Sequence, residues 1–220
     1  MLEDELLSKH PQLFHMAQAG SWPTIREYGL LTTDEIVSTS GLPSADIEDI
    51  LTHRRPNSVN VDHPRLGRVV IRDQGPLNEA NLMPKLVDLS LSDWQHVLNG
   101  RVFFWLHPDK LRQLLNARRY RGEEQDVLTV DTASLLQAHR DAVRLSPINS
   151  GATLYPNAPE RGHHTFQTID KYDYSAQKRK RGQTEAIVEL AVLGGVPDIR
   201  EHVVEVARMK GDVVLSTYPL

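Results

Sequence analysis

Ile187-Val188-Glu189-Leu190-Ala191-Val192-Leu193, closed by Gly194-Gly195-Val196-Pro197, is a short apolar run bounded by glycine and proline. Such a run reads as a strand buried on both faces, yet it carries a carboxylate. An ionised glutamate in an apolar strand has to be paired, shifted in pKa or retained for chemistry, because desolvating it costs several kcal/mol. Strand alternation places Glu189 with Ile187, Ala191 and Leu193 on one face, and Glu185 on the same face at the entrance. An edge strand, or an ion pair with one of the arginines, would accommodate Glu189 equally well.

Working outward, the 220 residues are 40% hydrophobic and 25% charged, with a net charge of −4, which suits one sizeable core in a single domain over residues 1–220. A global excess of basic charge is absent, so any polyanion contact has to come from a local patch. With no cysteine in the sequence, disulfides, thiolate metal sites and cysteine nucleophiles are excluded, and a reducing cytoplasm fits. Met1 to Leu7 is acidic where a secretion signal is basic, and no apolar run approaches a membrane span, so no membrane partner is expected. Phosphate loops, dinucleotide fingerprints, serine-hydrolase elbows and zincin motifs are all missing from the sequence. The adjacent pair His163-His164 has no clear companion ligand, and no metal is expected.

Capping and periodicity predict an α+β domain. A helix is expected over roughly Leu2 to Ser8 and a strand over Gln12 to Met16. A short helix follows with Ser21 as N-cap, Pro23 in its first turn and Gly29 as C-cap, and Thr33-Asp34 and Ser44 read as the caps of two further short helices. Strands are expected at Ser58–Val61 and Arg68–Arg72. Ser90 and Asp93 form a capping box for a helix ending at a left-handed Gly100. Arg101–Leu106 is an aromatic strand, Pro108 opens a helix, Val127–Val130 is a strand, and Asp131 caps a helix to about Arg140. Strands over Ala186–Leu193, Val203–Val206 and Val213–Leu215 complete the chain. The Ser146–Gly162 stretch is a long loop rich in Pro, Asn and Gly, a length that marks function or disorder. Asp170–Gly182 reads as a second loop that joins Tyr172 and Tyr174 to Lys178-Arg179-Lys180-Arg181.

Leu13-Phe14-His15-Met16-Ala17, with Ser21-Trp22-Pro23-Thr24-Ile25-Arg26-Glu27-Tyr28-Gly29-Leu30-Leu31, is similar to the opening of DarT-type ADP-ribosyltransferases. Glu189-Leu190-Ala191-Val192 with Val196-Pro197 and Ile199 resembles their glutamate strand, and Gly100–Trp105 their aromatic strand. Nearly the whole chain also resembles a family of bacterial proteins. Its recurring phrases are Arg72-Asp73-Gln74, Asn99–Leu106, Ser146-Pro147-Ile148-Asn149-Ser150-Gly151 and Val188–Val192.

The first resemblance implies an ADP-ribosyltransferase-like fold of two small mixed or antiparallel sheets with peripheral helices, and NAD as ADP-ribose donor. His15 would bind the adenosine ribose, the Met16 backbone the nicotinamide amide, and Arg55 the cofactor. Phe103, Phe104 or Trp105 would wall the nicotinamide pocket, and Glu189 would be catalytic. Each also has an ordinary structural reading: a satisfied strand histidine, a solvated loop cation, an aromatic core. The loop before the glutamate strand would present the acceptor. Its Tyr172 and Tyr174 interleaved with Lys178, Arg179, Lys180 and Arg181 suit stacked bases and phosphates, so DNA or RNA is the expected partner, against the ordinary reading of a solvated charged loop. The paired glutamates of arginine-specific transferases are not reproduced around Glu185 and Glu189, which disfavours a protein arginine acceptor. A toxin-like enzyme with a cognate antitoxin, a non-catalytic nucleic-acid-binding module and an NAD glycohydrolase are the readings in play.

Overall fold

The structure, a computed structural model, describes residues 3–220. Helix α1 (Glu3–Lys9) leads into β1 (Gln12–Gln18), then α2 (Trp22–Tyr28), α3 (Thr33–Ser38) and α4 (Ser44–Thr52). A hairpin, β2 (Val59–His63) and β3 (Gly67–Ile71), precedes α5 (Glu79–Leu82), α6 (Leu91–Asn99), β4 (Arg101–Trp105) and α7 (Pro108–Leu115). Next come β5 (Glu124–Asp131), α8 (Thr132–His139), β6 (Val143–Ser146), α9 (Tyr174–Arg181), β7 (Glu189–Leu193), β8 (Val203–Lys210) and β9 (Val213–Thr217). The expected helix start at Leu2 lies outside the described residues.

The α+β class holds, with a different partition of strands. Among the described residues, seven strands form one sheet in the order β6-β7-β4-β1-β5-β8-β9, antiparallel at every pairing, and β2-β3 form a separate two-stranded sheet. The large sheet has a weak seam. β1 and β5 are in register from Gln12↔Asp131 to Gln18↔Gln125, whereas β1 and β4 share only Phe14↔Trp105. Beyond that pair the two central strands part.

Leu13, Ala17, Val102, Phe104, Leu128, Leu190 and Val192 build the main core on one face, closed by Leu6 of α1, Trp22 of α2 and Leu135 and Leu136 of α8. On the other face Trp94 and Leu98 of α6 pack on Ala191 and Phe103, and Leu111 and Leu115 of α7 pack on Met16 and Val127. The hairpin rests on Val37, Ile50 and Leu51 of α3 and α4.

Several local expectations need correction. The glutamate strand begins at Glu189 itself, residues 183–186 are turn and bend and 187–188 are irregular, and Ile187 joins the core of the opposite face with Leu190. Gly100 closes α6 at φ −85°, because its N–H is already held by His96 O and β4 starts at the next residue without a reversal. The cap of α3 is Thr32, one residue before the expected Thr33, and its hydroxyl accepts from Glu35 N; Pro43 takes the cap position of α4 ahead of Ser44, Ser21 makes no side-chain cap bond to α2, and α8 is capped as expected by Asp131. Residues 174–181 are a helix capped by Asp173, where the tyrosine-rich and basic stretch reads as loop. No described helix is long and apolar enough to cross a membrane.

Two widely separated glycine turns lock together. Leu30 N donates to Val196 O at 2.9 Å, and Val196 N returns to Leu30 O at 2.8 Å. Gly29 sits at φ +93°, and a Cβ there would lie 2.5 Å from the Pro197 Cα, so only glycine lets α2 end against the chain leaving β7.

Candidate functional site

A cavity of about 690 Å³ opens at the parted end of β1 and β4. Its walls come from β1, the turn into α2, the β3 strand with Arg72-Asp73-Gln74, the start of β4, the Asn149-Ser150-Gly151 loop and Glu189. Pleat alternation alone would put His15 and Glu189 on opposite faces, since Glu189 is registered on Trp105 and Trp105 on Phe14. The seam removes that separation, and both residues line the one cavity.

His15 takes the place of the lost strand ladder. Its Nδ1 lies 2.9 Å from Phe103 O. Burial holds the imidazole down at about 4, against the pull of the Phe103 carbonyl and with the help of Arg72. The ring is therefore neutral at pH 7. A carbonyl can only accept, so Nδ1 carries the proton and Nε2 is left as an acceptor.

Glu189 is 5% exposed. Its Oε2 accepts from Ser150 N at 3.0 Å and Ser150 Oγ at 2.7 Å. Oε1 has no protein hydrogen-bond partner among the described residues. Burial pushes the carboxyl up to about 7, and the two Ser150 bonds and the Arg161 charge hold it from going higher. Arg161 is 1% exposed and its guanidinium grips the loop from inside. It donates to Ser150 O at 3.3 Å, Asn149 O at 3.2 Å and Ala152 O at 2.5 Å, and also to Pro159 O. A buried cation thus shapes the turn that presents Ser150 to the glutamate.

Arg55, Arg68, Arg72 and Arg101 line the cavity, against the acidic Asp73 and Glu189. Arg72 Nη1 donates to Met16 O and Gln125 Oε1, each at 3.2 Å, and its guanidinium lies 4.7 Å from the Tyr120 ring centre. Asp73 is held by Tyr120 Oη, Arg119 Nε and Gly75 N. The walls suit an anionic ligand with an apolar part, and the volume lies within the range of roughly 300–1,000 Å³ usual for ligand pockets.

His15, Met16, Arg55, Phe103 and Glu189 meet in this cavity as the sequence led us to expect, and the remaining candidates do not. Arg55 is 8% exposed and is no solvated loop cation. Its Nε and Nη1 are spent on Arg72 O and Ile50 O, so it braces the wall more than it offers a free guanidinium. The Met16 carbonyl already accepts from Arg72. Phe104 lies in the opposite core at 1% exposure because it alternates with Phe103, and Trp105 packs with Phe14 beside Leu111 and Leu115 of α7. Glu185 is on the surface, paired with Lys110.

The acceptor loop is corrected most. Tyr172 and Tyr174 are 2% and 4% exposed and belong to the core beneath Leu190 and Val192, so neither ring has a face to offer a base. Tyr172 Oη donates to Ala186 O. Lys178, Arg179 and Lys180 are exposed and Arg181 half-buried on α9; none of the four lines the cavity. Ser150, Arg161 and Arg72 are the residues that sequence reasoning left without a role. Their signal was present in the flagged long loop and in the phrases Arg72-Asp73-Gln74 and Asn149-Ser150-Gly151.

Over residues 11–203 the sequence matches the family described as "Family of unknown function (DUF7002)", and the chain belongs to that family. No curated protein matches it.

Proposed function

For this member of DUF7002 we propose an NAD-dependent ADP-ribosyltransferase, built as a single ADP-ribosyltransferase-like domain. The observation that carries the reading is that His15, with Nε2 as an acceptor, and Glu189, with a carboxyl near neutrality, line one cavity at the seam between β1 and β4. Arg68, Arg72 and Arg101 suit a pyrophosphate, with Arg55 bracing the wall behind them, the Phe103 side chain an aromatic ring, and His15 Nε2 a ribose hydroxyl.

NAD supplies a ribose whose bond to nicotinamide breaks with the electron pair leaving on the nicotinamide, so positive charge develops on the sugar. Glu189, when ionised, opposes that charge in a low-dielectric pocket, as carboxylates do in glycoside cleavage. Ser150 fixes Oε2 by two hydrogen bonds and leaves Oε1 for the reacting centre. His15 stays neutral throughout and serves to orient, its ring pinned by Phe103 O.

Nucleic acid as acceptor now draws its support from the exposed cations Lys178, Arg179 and Lys180 of α9, without the tyrosines. The deciding experiment is nicotinamide release from NAD by the purified chain, alone and with DNA, RNA or protein. Release that requires DNA or RNA supports the transferase with that acceptor. Release without any acceptor makes the protein an NAD glycohydrolase. No release under any condition leaves a non-catalytic binding module.

A further inference from the structure

We propose that His139, Asp198 and His202 form a binding site for a divalent transition metal ion of the zinc class. The three side chains come from the last turn of α8 and from the turn that follows β7, and one donor atom from each lies within 4.8 Å of the others. They are outside the residues that line the cavity.

His139 Nε2 is 2.5 Å from Asp198 Oδ1, and His202 Nε2 is 3.4 Å from Asp198 Oδ2. The imidazoles stand edge to face, centroids 5.5 Å apart at 89°. Tetrahedral zinc with bonds of about 2.0–2.1 Å sets its donors about 3.3–3.4 Å apart, so the His139–Asp198 pair at 2.5 Å has to open by about 1 Å and the widest separation, within 4.8 Å, has to close by up to about 1.5 Å.

The second observation is the state of His202. It is 4% exposed, and its Nε2 is a buried nitrogen without a hydrogen-bond partner. Its Nδ1 lies 2.7 Å from Ser134 Oγ, and that hydroxyl is directed at Glu201 O, 3.5 Å away. With the serine proton turned to the carbonyl, Oγ accepts from Nδ1–H, and the Nε2 lone pair points at a carboxylate. Two acceptors facing each other in a buried place call for a cation between them. A ligating histidine typically has its other ring nitrogen held in this way. The Asp198 side chain is 33% exposed, which leaves an open position for water. A bound ion would cross-link α8 to the segment after β7, next to Pro197.

The test uses the full chain freed of metal by a chelator, with any affinity tag removed, titrated with Zn²⁺ and with Co²⁺. One equivalent should bind, Co²⁺ should show the visible absorption of a tetrahedral site, and the thermal midpoint should rise. His202→Ala and Asp198→Asn should each weaken binding by more than tenfold. Ser134→Ala should weaken it about 10- to 100-fold, as second-shell losses do. Glu189→Gln should bind as the parent does, which separates this site from the cavity. If His202→Ala does not fold, Asp198→Asn, which keeps shape and both imidazoles, carries the same expectation. Absence of stoichiometric binding by the parent, or equal affinity in Asp198→Asn, overturns the proposal.

Discussion

Ser150 donates both its backbone N–H and its hydroxyl to one oxygen of Glu189, at 3.0 and 2.7 Å. The glutamate is thereby fixed in rotation and its charge partly offset, while Oε1 stays available. Both bonds favour the ionised carboxylate and oppose the burial that pushes it up to about 7. Ser150→Ala removes one of them. If NAD turnover depends on ionised Glu189, its pH–rate profile rises with pH through about 7 in the parent, and the variant's midpoint moves to higher pH. An unmoved midpoint would detach the profile from Glu189.

The same shift has a consequence for stability. Glu189 titrates near 7 in the folded chain and near the ordinary carboxylate value of about 4.3 when unfolded. Between those values the folded state binds the extra proton, so the contribution of Glu189 to stability falls as pH rises from about 4.3 to 7 and is flat above. Glu189→Gln lacks this term. Its thermal midpoint, set against the parent's, should therefore gain between pH 5 and pH 8, by an amount of order 3 kcal/mol in free energy. His15 and His10, both held down at about 4, act in the opposite sense between 4 and 6.5 in both proteins and cancel in the difference. A difference that does not change with pH would contradict the buried, proton-sharing carboxyl.

Gly29→Ala tests the lock between α2 and the segment after β7. The new Cβ meets the Pro197 backbone at 2.5 Å in a left-handed conformation. A loss of about 1–3 kcal/mol is expected, seen as a drop in the thermal midpoint of roughly 2–4 °C per kcal/mol. Gly20→Ala is the control: its φ is also positive at +86°, but a Cβ there meets nothing within 4 Å. It should be the milder change.

Replacing Lys178, Arg179, Lys180 and Arg181 together by Ala should weaken DNA or RNA binding and flatten its salt dependence. Each phosphate contact contributes roughly 0.7–0.9 to the log–log slope. NAD affinity should stay as it was, because α9 does not line the cavity. An unchanged slope removes nucleic acid from the account.

Much of the scaffold was legible because local chemistry agreed with the fold. The capping box at Ser90 and Asp93, the proline at the start of α7 and the Asp131 cap all appear where side chains dictate them. The pairing of Gly29-Leu30-Leu31 with Gly195-Val196-Pro197 was legible only as two quoted motifs, since contact between residues so far apart leaves no local trace. Strand β6 escaped notice because Val143–Ser146 is too short to show alternation. The buried tyrosines were misread for a related reason: Tyr172 and Tyr174 flank Asp173 in a polar stretch, and nothing local says that both rings turn into the core. The seam is the deepest case. Alternation along β1 and β4 places His15 and Glu189 on opposite faces, and only the loss of pairing after Phe14↔Trp105 brings them into one cavity.

The central claim is that Glu189, and not its surface neighbour Glu185, serves NAD cleavage from within the His15 cavity. It is tested most directly by nicotinamide release from NAD at pH 8 by the parent, Glu189→Gln and Glu185→Gln, each with the nucleic-acid acceptor present. The account predicts release by the parent and by Glu185→Gln, and a fall of about 10²–10³-fold in Glu189→Gln with its fold intact. Equal release by the parent and Glu189→Gln, or loss in Glu185→Gln alone, would contradict it.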